Sequence, residues 1–525
     1  MMPLFPLLFV GFTVPFLLIE YGILYNKRSP WFAWGLLYTF LLVWNASTTW
    51  WICNVQLVAG LFANVANAAL MTIPLMFGRY VWLKAGRQLG YITLLTLWLG
   101  FEYVHLNWEL TWAWLTLGNG LAVYPSFIQW YSITGTMGGS LWILITSLFG
   151  YHFILRTWFF GRVNPAAVSY VYFILLIGLP ITYSYWEYSR SEPLSPELEV
   201  VAIQPNIDPL QEKFEGSPDF IPLGVQVDRL KQLSEQVITP SSRFLLWPET
   251  SFDTESSIWE ENIDQMAEIV DLKEWLRENP NLVLITGATT FVSYTKKDLA
   301  TATARYHNQV GYYDVFNSAL RVEPDKPVEI YHKSKLVPGV ERMPYPAVFR
   351  LLESLVIDLG GASGSLGTQK EREIFCAQNA DTLCTTPCIC YESIFGEFMG
   401  QGVQMGADFI SIITNDGWWG NSPGHRQHAA YASILAISHH RAIARSANTG
   451  ISCFVNPKGD RSQMTAYGVP AALVGKVSLQ KKQTYYTAHG DYIGRLAGFL
   501  GIFLFLSVVV KHRTTRAALK PKQSQ

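Results

Sequence analysis

Apolar blocks of membrane-spanning length alternate with short polar stretches up to about residue 188. Ordinary soluble patterning follows, and one further apolar block closes the chain. A helix that crosses a bilayer needs about 20 mostly apolar residues. Six blocks qualify before the soluble region, roughly 3–25, 31–51, 55–78, 89–108, 126–155 and 165–186, and a seventh follows it at 492–510. The fifth block is long, and Gly135, Gly138 and Gly139 predict a tilt or a break within it. Any one block alone could be a buried core helix; six in series read as a bundle. The first begins at the initiating Met with no basic flank or small-residue cleavage site, so it reads as a span rather than a removable leader.

Between 191 and 491 the periodicity changes. The runs VVAIQPN, RFLLWPET, LVLITGATT, VFNSALRVE, VEIYHKSKLV, CICYESIF and DFISIITND predict buried strands that end in polar residues. The stretches IWEENIDQMAEIVDLKEWLREN and HRQHAAYASILAISHHRAIARSAN predict helices. Such alternation predicts an α/β domain with helices over sheets. The expected organisation is a transmembrane bundle over 1–190, an α/β domain over 191–491, a transmembrane helix over 492–511 and a basic tail over 512–525.

Composition supports a membrane solvent for part of the chain. Half of the 525 residues are hydrophobic, 19 are Trp, and only 15% are charged, against about 25% in soluble domains. A net charge of -1 argues against a nucleic-acid partner. Lys and Arg in short loops set orientation. Lys27 and Arg28 follow the first segment, Arg79, Lys84 and Arg87 the third, and Arg156 and Arg162 the fifth. The loops after the second and fourth carry none, and Glu102 and Glu109 lie near the latter. The basic loops are therefore expected in the cytoplasm, with the N-terminus and the α/β domain outside. The tail, with Lys511, Arg513, Arg516, Lys520 and Lys522, returns to the cytoplasm.

Three predicted strand ends carry reactive side chains: Glu249 in LLWPETSF, Lys333 in EIYHKSKLVPGVERMPY, and a cysteine in CICYESIF. Singly they read as a solvated carboxylate, a surface lysine and a core cysteine. Together they can transfer an acyl group without histidine. A thiol is only a few per cent ionised at neutral pH. A carboxylate can take its proton, and an ammonium can stabilise the thiolate and then an oxyanion. Periodicity does not separate Lys333 from Lys335, because positions two apart share a strand face.

In this order, WPE, YHKSKLVPGVE and CYE resemble the Glu-Lys-Cys nitrilase superfamily. The seven apolar segments narrow the resemblance to the apolipoprotein N-acyltransferases. LTLGNGLAVYPSFIQWYSITGTMGGSLWI and TNDGWWGNSPGHRQHAAYASILAISHHRAIARSANTGIS extend it over almost the whole chain. The resemblance implies a nitrilase-like αββα sandwich in a multi-pass protein of the bacterial inner membrane, with the catalytic domain facing the periplasm. It implies acyl transfer from a phospholipid to the N-terminal amine of diacylglyceryl-modified apolipoproteins through a cysteine thioester. It implies a monomer without cofactor or metal. Cys390, directly before Tyr-Glu, becomes the nucleophile in place of Cys388. Glu249 becomes the base, and Lys333, eight residues before Glu341, is selected over Lys335. The Tyr391 N–H joins the oxyanion hole, and Glu341 and Glu392 are supporting carboxylates. The chain departs from the family in Pro338-Gly339-Val340-Glu341, where Pro-Phe-Gly-Glu is usual, and in the Gly-rich LGGASGSLGTQ, expected as a mobile loop. The family also implies eight spans and a cytoplasmic N-terminus; the parity here fits loss of one leading helix.

Other marked residues have alternatives. Cys384, Cys388 and Cys390 lack the paired spacing of common zinc sites. In an oxidising compartment Cys376, Cys384 and Cys388 can pair, with Cys390 expected free. His425 and His428, in HRQH, lack the zinc-protease spacing and read as packing. Trp418 and Trp419 either pack or line an acyl-chain pocket near the bilayer. Arg441 and Arg445 are expected on one helix face, holding carboxylates. Two other functions compete with acyl transfer to lipoproteins: a membrane-tethered amidase, and a non-catalytic membrane sensor or transporter.

Overall fold

Strands rich in Val, Ile, Leu and Phe and buried on both faces need cover on both sides. Two sheets of this kind pack face to face. The computed structural model describes residues 5–25, 29–156, 167–191, 195–213, 217–253, 258–345, 365–377 and 382–518. Lys27, Arg28, Arg162, Lys520, Lys522 and the first part of the Gly-rich stretch lie outside these residues. The chain divides into two compact units.

One unit comprises Trp51–Ala59 and Arg190–Gly490. Its first sheet runs, in spatial order, Ala471–Ser478, Glu197–Gln204, Ser242–Leu246, Val283–Tyr294, Gly311–Val322 and Arg305–His307. Ile258–Trp259 pairs with Val283–Tyr294, and Glu329–His332 with Gly311–Val322. The second sheet runs Arg461–Ser462, Cys453–Val455, Ile443–Ala447, Phe409–Thr414, Leu383–Ile389 and Phe375–Ala377. Its three central strands are parallel, so their C-terminal ends share one edge. Phe244 and Phe409, with ring centres 5.2 Å apart, join the sheets, and Leu246, Ile285, Ile389 and Ile413 complete the shared core. Helices Leu223–Glu235 and Ala267–Leu276 cover the first sheet's other face with Val227, Leu230, Ile269 and Leu272. Helix Gly396–Gln404 lies on the second sheet, where Gly402 packs on Thr386. This is the expected α–β–β–α order.

Two predicted helices are shorter than their patterns. Within 258–279, Ile258–Trp259 is a strand, Glu260–Gln265 a 3₁₀ turn, and only Ala267–Leu276 an α-helix. Parallel pairing to Thr290 and Phe291 claims the first two residues. The second helix runs Pro423–His439 and stops at His440, whose φ of 50° is left-handed. Arg445 then lies in the strand Ile443–Ala447. The expectation that Arg441 and Arg445 share a helix face is therefore corrected. Arg441 donates to the carbonyls of Ala407 and Lys482, and only Arg445 holds a carboxylate, that of Asp416.

The other unit comprises Met2–Trp50, Gly60–Ser189 and Asp491–Gln525. Among the described residues, five stretches are long and apolar enough to cross a membrane: Leu7–Leu24, Leu57–Ala85, Arg87–Asn107, Tyr131–Phe153 and Tyr492–Thr515. The segments expected at 31–51 and 165–186 are the helices Pro30–Thr49 and Ala167–Ser189. In Pro30–Thr49, Asn45, Ser47, Thr48 and Thr49 dilute the apolar run. The break in the fifth segment falls at Gly135, with φ 59° and ψ -166°. Helices Arg87–Asn107 and Tyr492–Ala518 meet at Gly100 and Gly498, where a Cβ on Gly498 would lie 3.3 Å from the Gly100 Cα. Gly494 and Gly498 form the small-xxx-small spacing that lets membrane helices approach this closely. Buried Glu20 is paired with Arg87 at 3.2 Å and Arg156 at 3.0 Å, as an ionisable group within a bundle requires.

Candidate active site

The ends of parallel strands leave backbone groups and polar side chains pointing past the sheet, which makes that edge a natural site. Glu249 follows the strand Ser242–Leu246 through Trp247 and Pro248. The turn is tight: Thr250 has φ 51°, and a Cβ at Gly287 would lie 2.6 Å from the Glu249 Cα. Buried Lys213 braces it, donating to the Glu249 carbonyl at 3.2 Å and the Thr250 hydroxyl at 2.6 Å. Burial pulls the Lys213 ammonium down to about 8, against the opposing charges of Asp253 and Glu249.

Both Glu249 carboxylate oxygens are engaged. Oε1 accepts from Asn317 Nδ2 at 2.8 Å and Lys333 Nζ at 3.0 Å; Oε2 accepts from the Asn415 N–H at 2.9 Å. Lys333 lies one residue beyond the strand Glu329–His332 and is 1% exposed. Its Nζ also donates to Glu341 Oε1 at 2.7 Å. Burial would lower this lysine, but Glu249, Glu341 and Cys390 outweigh that and hold it well above its ordinary value. Lys335 is placed elsewhere, with its ammonium over the rings of Phe395 and Phe398. The Val340-for-Gly departure keeps a turn: Gly339 takes φ 76°, and Glu341 Oε2 accepts from the Val337 N–H at 2.8 Å.

Cys390 follows the strand Leu383–Ile389 and starts the 3₁₀ turn Cys390–Ile394. It has φ 51°, unusual for a non-glycine residue, and carries a free thiol. Burial pushes this thiol up, Glu249 adds to the rise, and Lys333 opposes it; the Thr414 hydroxyl hydrogen-bonds it. Tyr391 is buried in the same turn, its ring edge-on to Phe395. Fully buried Glu392 accepts from the Ile389 N–H at 2.9 Å, the Tyr331 hydroxyl at 2.6 Å and the Ser334 N–H at 2.7 Å. It thereby ties the cysteine turn to the residue after Lys333. Cys388 is buried within the strand, its thiol raised by burial. Cys376 and Cys384 are cross-strand neighbours joined by a disulfide.

Residues 281–481 match the family Carbon-nitrogen hydrolase, and residues 2–149 match Apolipoprotein N-acyltransferase N-terminal domain. An apolipoprotein N-acyltransferase of Chlorobaculum tepidum is 28% identical over 503 residues, 93% of this chain and 89% of that protein. Those of Sinorhizobium fredii and Thermotoga maritima are each 26% identical, covering 88% and 83% of this chain and 83% and 78% of theirs. This chain belongs to the apolipoprotein N-acyltransferase family. With its apolar helices, that makes it a membrane protein.

The structure gathers several residues that the family motifs do not name. Asn317 bridges Glu249 and Glu341; its only sequence signal is a lone amide within the apolar run VFNSALRVE. Asp416, His428 and Arg445 form a buried chain behind Cys390. Ligand atoms of Cys390, Asp416 and His428 lie within 4.8 Å of one another, a spacing a metal could use. Arg445, 2.6 Å from Asp416, already supplies the positive charge there, so the set reads as a hydrogen-bond network. Burial opposes ionisation of Asp416, but Arg445 and His428 hold it well below the usual carboxylate range. His425 packs beside Tyr467, with ring centres 4.6 Å apart. Trp419 packs between Trp51, at 4.8 Å, and His428, at 5.6 Å, which is the packing alternative for this residue. Trp418 is half-buried beside it.

Proposed function

We propose that the protein transfers an acyl chain from a phospholipid to the N-terminal amine of diacylglyceryl-modified apolipoproteins, by a ping-pong route through a thioester on Cys390. The observation that carries this reading is Lys333, clamped between Glu249 and Glu341 and acting electrostatically on the Cys390 thiol. Glu249 takes the thiol proton as Sγ attacks the ester carbonyl. The Lys333 ammonium and the Tyr391 N–H stabilise the oxyanion. Collapse breaks the ester C–O bond, the lysophospholipid oxygen regains the proton from Glu249, and the acyl group stays on Sγ. The apolipoprotein amine then attacks the thioester, gives a proton to Glu249, and displaces the thiol. Glu341 keeps Lys333 in place, and Glu392 fixes the two turns.

The Cys376–Cys384 disulfide and the charge of the loops both favour a periplasmic catalytic domain in the inner membrane, because disulfides persist in oxidising compartments. His428 is also near the thiol, but its Nδ1 and Nε2 face Asp416 and the Cys390 carbonyl, which leaves the thiol proton to Glu249. Incubation with acyl-labelled phospholipid alone tests the reading. Wild type and Cys388→Ala should acquire a hydroxylamine-labile label, and Cys390→Ala none. An amidase would release ammonia from small amides without such labelling; a sensor would do neither.

A further inference from the structure

The nucleophile's backbone is strained, and strain of this kind persists only where the surroundings over-determine it. A non-glycine residue in the left-handed region is held against a steric penalty. At Cys390, where φ is 51°, two side chains receive the carbonyl. The Ser393 hydroxyl donates to the Cys390 carbonyl at 2.9 Å. His428 Nε2 lies 3.1 Å from the same oxygen and 2.9 Å from Ser393 Oγ. Since a carbonyl only accepts, the ring donates there. Its Nδ1 sits 2.8 Å from Asp416 Oδ1. Asp416 is itself anchored, by Arg445 on Oδ2 at 2.6 Å and by the Thr414 hydroxyl on Oδ1 at 3.0 Å. His428, Asp416 and Arg445 are all fully buried, and the Trp419 ring closes one side of the imidazole. The imidazole thus spans from a fixed carboxylate to the main chain of the nucleophile.

We propose that His428 is a positioning residue, a hydrogen-bonding strut from Asp416 that holds the Cys390 carbonyl and with it the thiol's aim. It touches neither lipid nor acceptor, and its importance for acylation rests on Cys390 being the nucleophile.

Glutamine and asparagine separate this role from packing. The terminal amide nitrogen of Gln can occupy the place of Nε2, whereas that of Asn reaches only the place of Nδ1. The full-length protein in detergent is tested as His428→Gln, His428→Asn and His428→Phe. Single-turnover thioester formation with acyl-labelled phosphatidylethanolamine, iodoacetamide alkylation of Cys390 by mass spectrometry, and thermal unfolding are measured. Misplacing a reacting group by about 1 Å costs on the order of 10²-fold. Asn and Phe are expected to lose about that factor in both reactions, while Gln stays within about tenfold of wild type. The Gln–Asn difference is expected at equal unfolding temperature. Equal rates in Gln and Asn, whether normal or lost, overturn the strut. If wild type forms no thioester but the alkylation order holds, the strut stands and the acyltransfer reading falls.

Discussion

The two sheets contribute unlike halves of the site. On the first, Lys333 pairs directly with both Glu249 and Glu341 as their shared cation. On the second, Cys390 is a neutral thiol, and the charges stand behind it, Asp416 against Arg445 with His428 between them and the Cys390 carbonyl. Yet the local device is the same. In each half the turn that follows a strand contains a residue of φ 51°, Thr250 or Cys390, and a carbonyl of each turn is held by a buried nitrogen donor, Lys213 or His428. The difference shows where charge is needed. In the proposed reaction the first half changes protonation, and its ionisable groups are in contact. The second must keep an atom in place, so its ionic pair is fixed and only a neutral group is presented.

If that division holds, removing the shared cation has the largest effect. Lys333→Met should almost abolish thioester formation. Loss of an oxyanion donor costs about 10²–10³ in rate, and buried Glu249 and half-buried Glu341 would lose their shared cation. Lys335→Met should change the rate modestly, since that ammonium lies over aromatic rings. Equal loss in both would dissolve the distinction. In the second half, Arg445→Met should act on stability. It leaves Asp416 buried without its ion-pair partner on Oδ2, a loss of about 3–5 kcal/mol, read as a fall in unfolding temperature or in folded yield. An Arg445→Met protein as stable as wild type but catalytically dead would put the charge pair in the chemistry instead.

The pH response sharpens the same contrast. The Cys390 thiol is raised above its ordinary 9.0 by burial and by Glu249, and lowered by Lys333. A raised thiol is protonated at neutral pH, so alkylation of the resting enzyme should climb about tenfold per pH unit and keep rising past pH 9. In Lys333→Met the lowering charge is gone, so the curve should lie at still higher pH. A plateau near pH 7 in wild type would mean a thiolate already formed, and Glu249 would then have no proton to take.

Much of the first half was legible because its chemistry sits in short contiguous motifs. WPE and YHKSKLVPGVE each place one charged residue at a strand end, and only the choice between Lys333 and Lys335 needed the family register; the fold places Lys333 between the carboxylates. The second half is assembled from residues distant in sequence, Thr414 and Asp416, His428, and Arg445, which meet only through parallel pairing of Phe409–Thr414 with its neighbours. The periodicity of HRQHAAYASILAISHHRAIARSAN actively misled, because a fully buried helix and the buried strand after it are both apolar, and the left-handed His440 that divides them has no strong composition signal. In the bundle, apolar length located the helices, while Asn45, Thr48 and Thr49 blurred the apolarity of Pro30–Thr49. The break at Gly135 was signalled by three glycines but uses only the first.

The smallest expected effect lies at the far end of the cysteine strand. Cys376 and Cys384 clip Phe375–Ala377 to the start of Leu383–Ile389, while Cys390 leaves the other end. Closing so short a loop is worth about 2 kcal/mol through the unfolded chain. Cys376→Ser/Cys384→Ser should therefore lower the unfolding temperature by a few degrees. Thioester formation measured below that temperature should stay within about twofold of wild type. The reason is that the Cys390 turn has its own anchors, Glu392 on the Ile389 N–H and Ser393 and His428 on the Cys390 carbonyl, none of which passes through the hairpin. A loss as large as that expected for His428→Asn, in protein shown to be folded, would mean that strain at one end of the strand is transmitted to the other. The nucleophile's position would then be a property of the whole sheet edge and not of its turn.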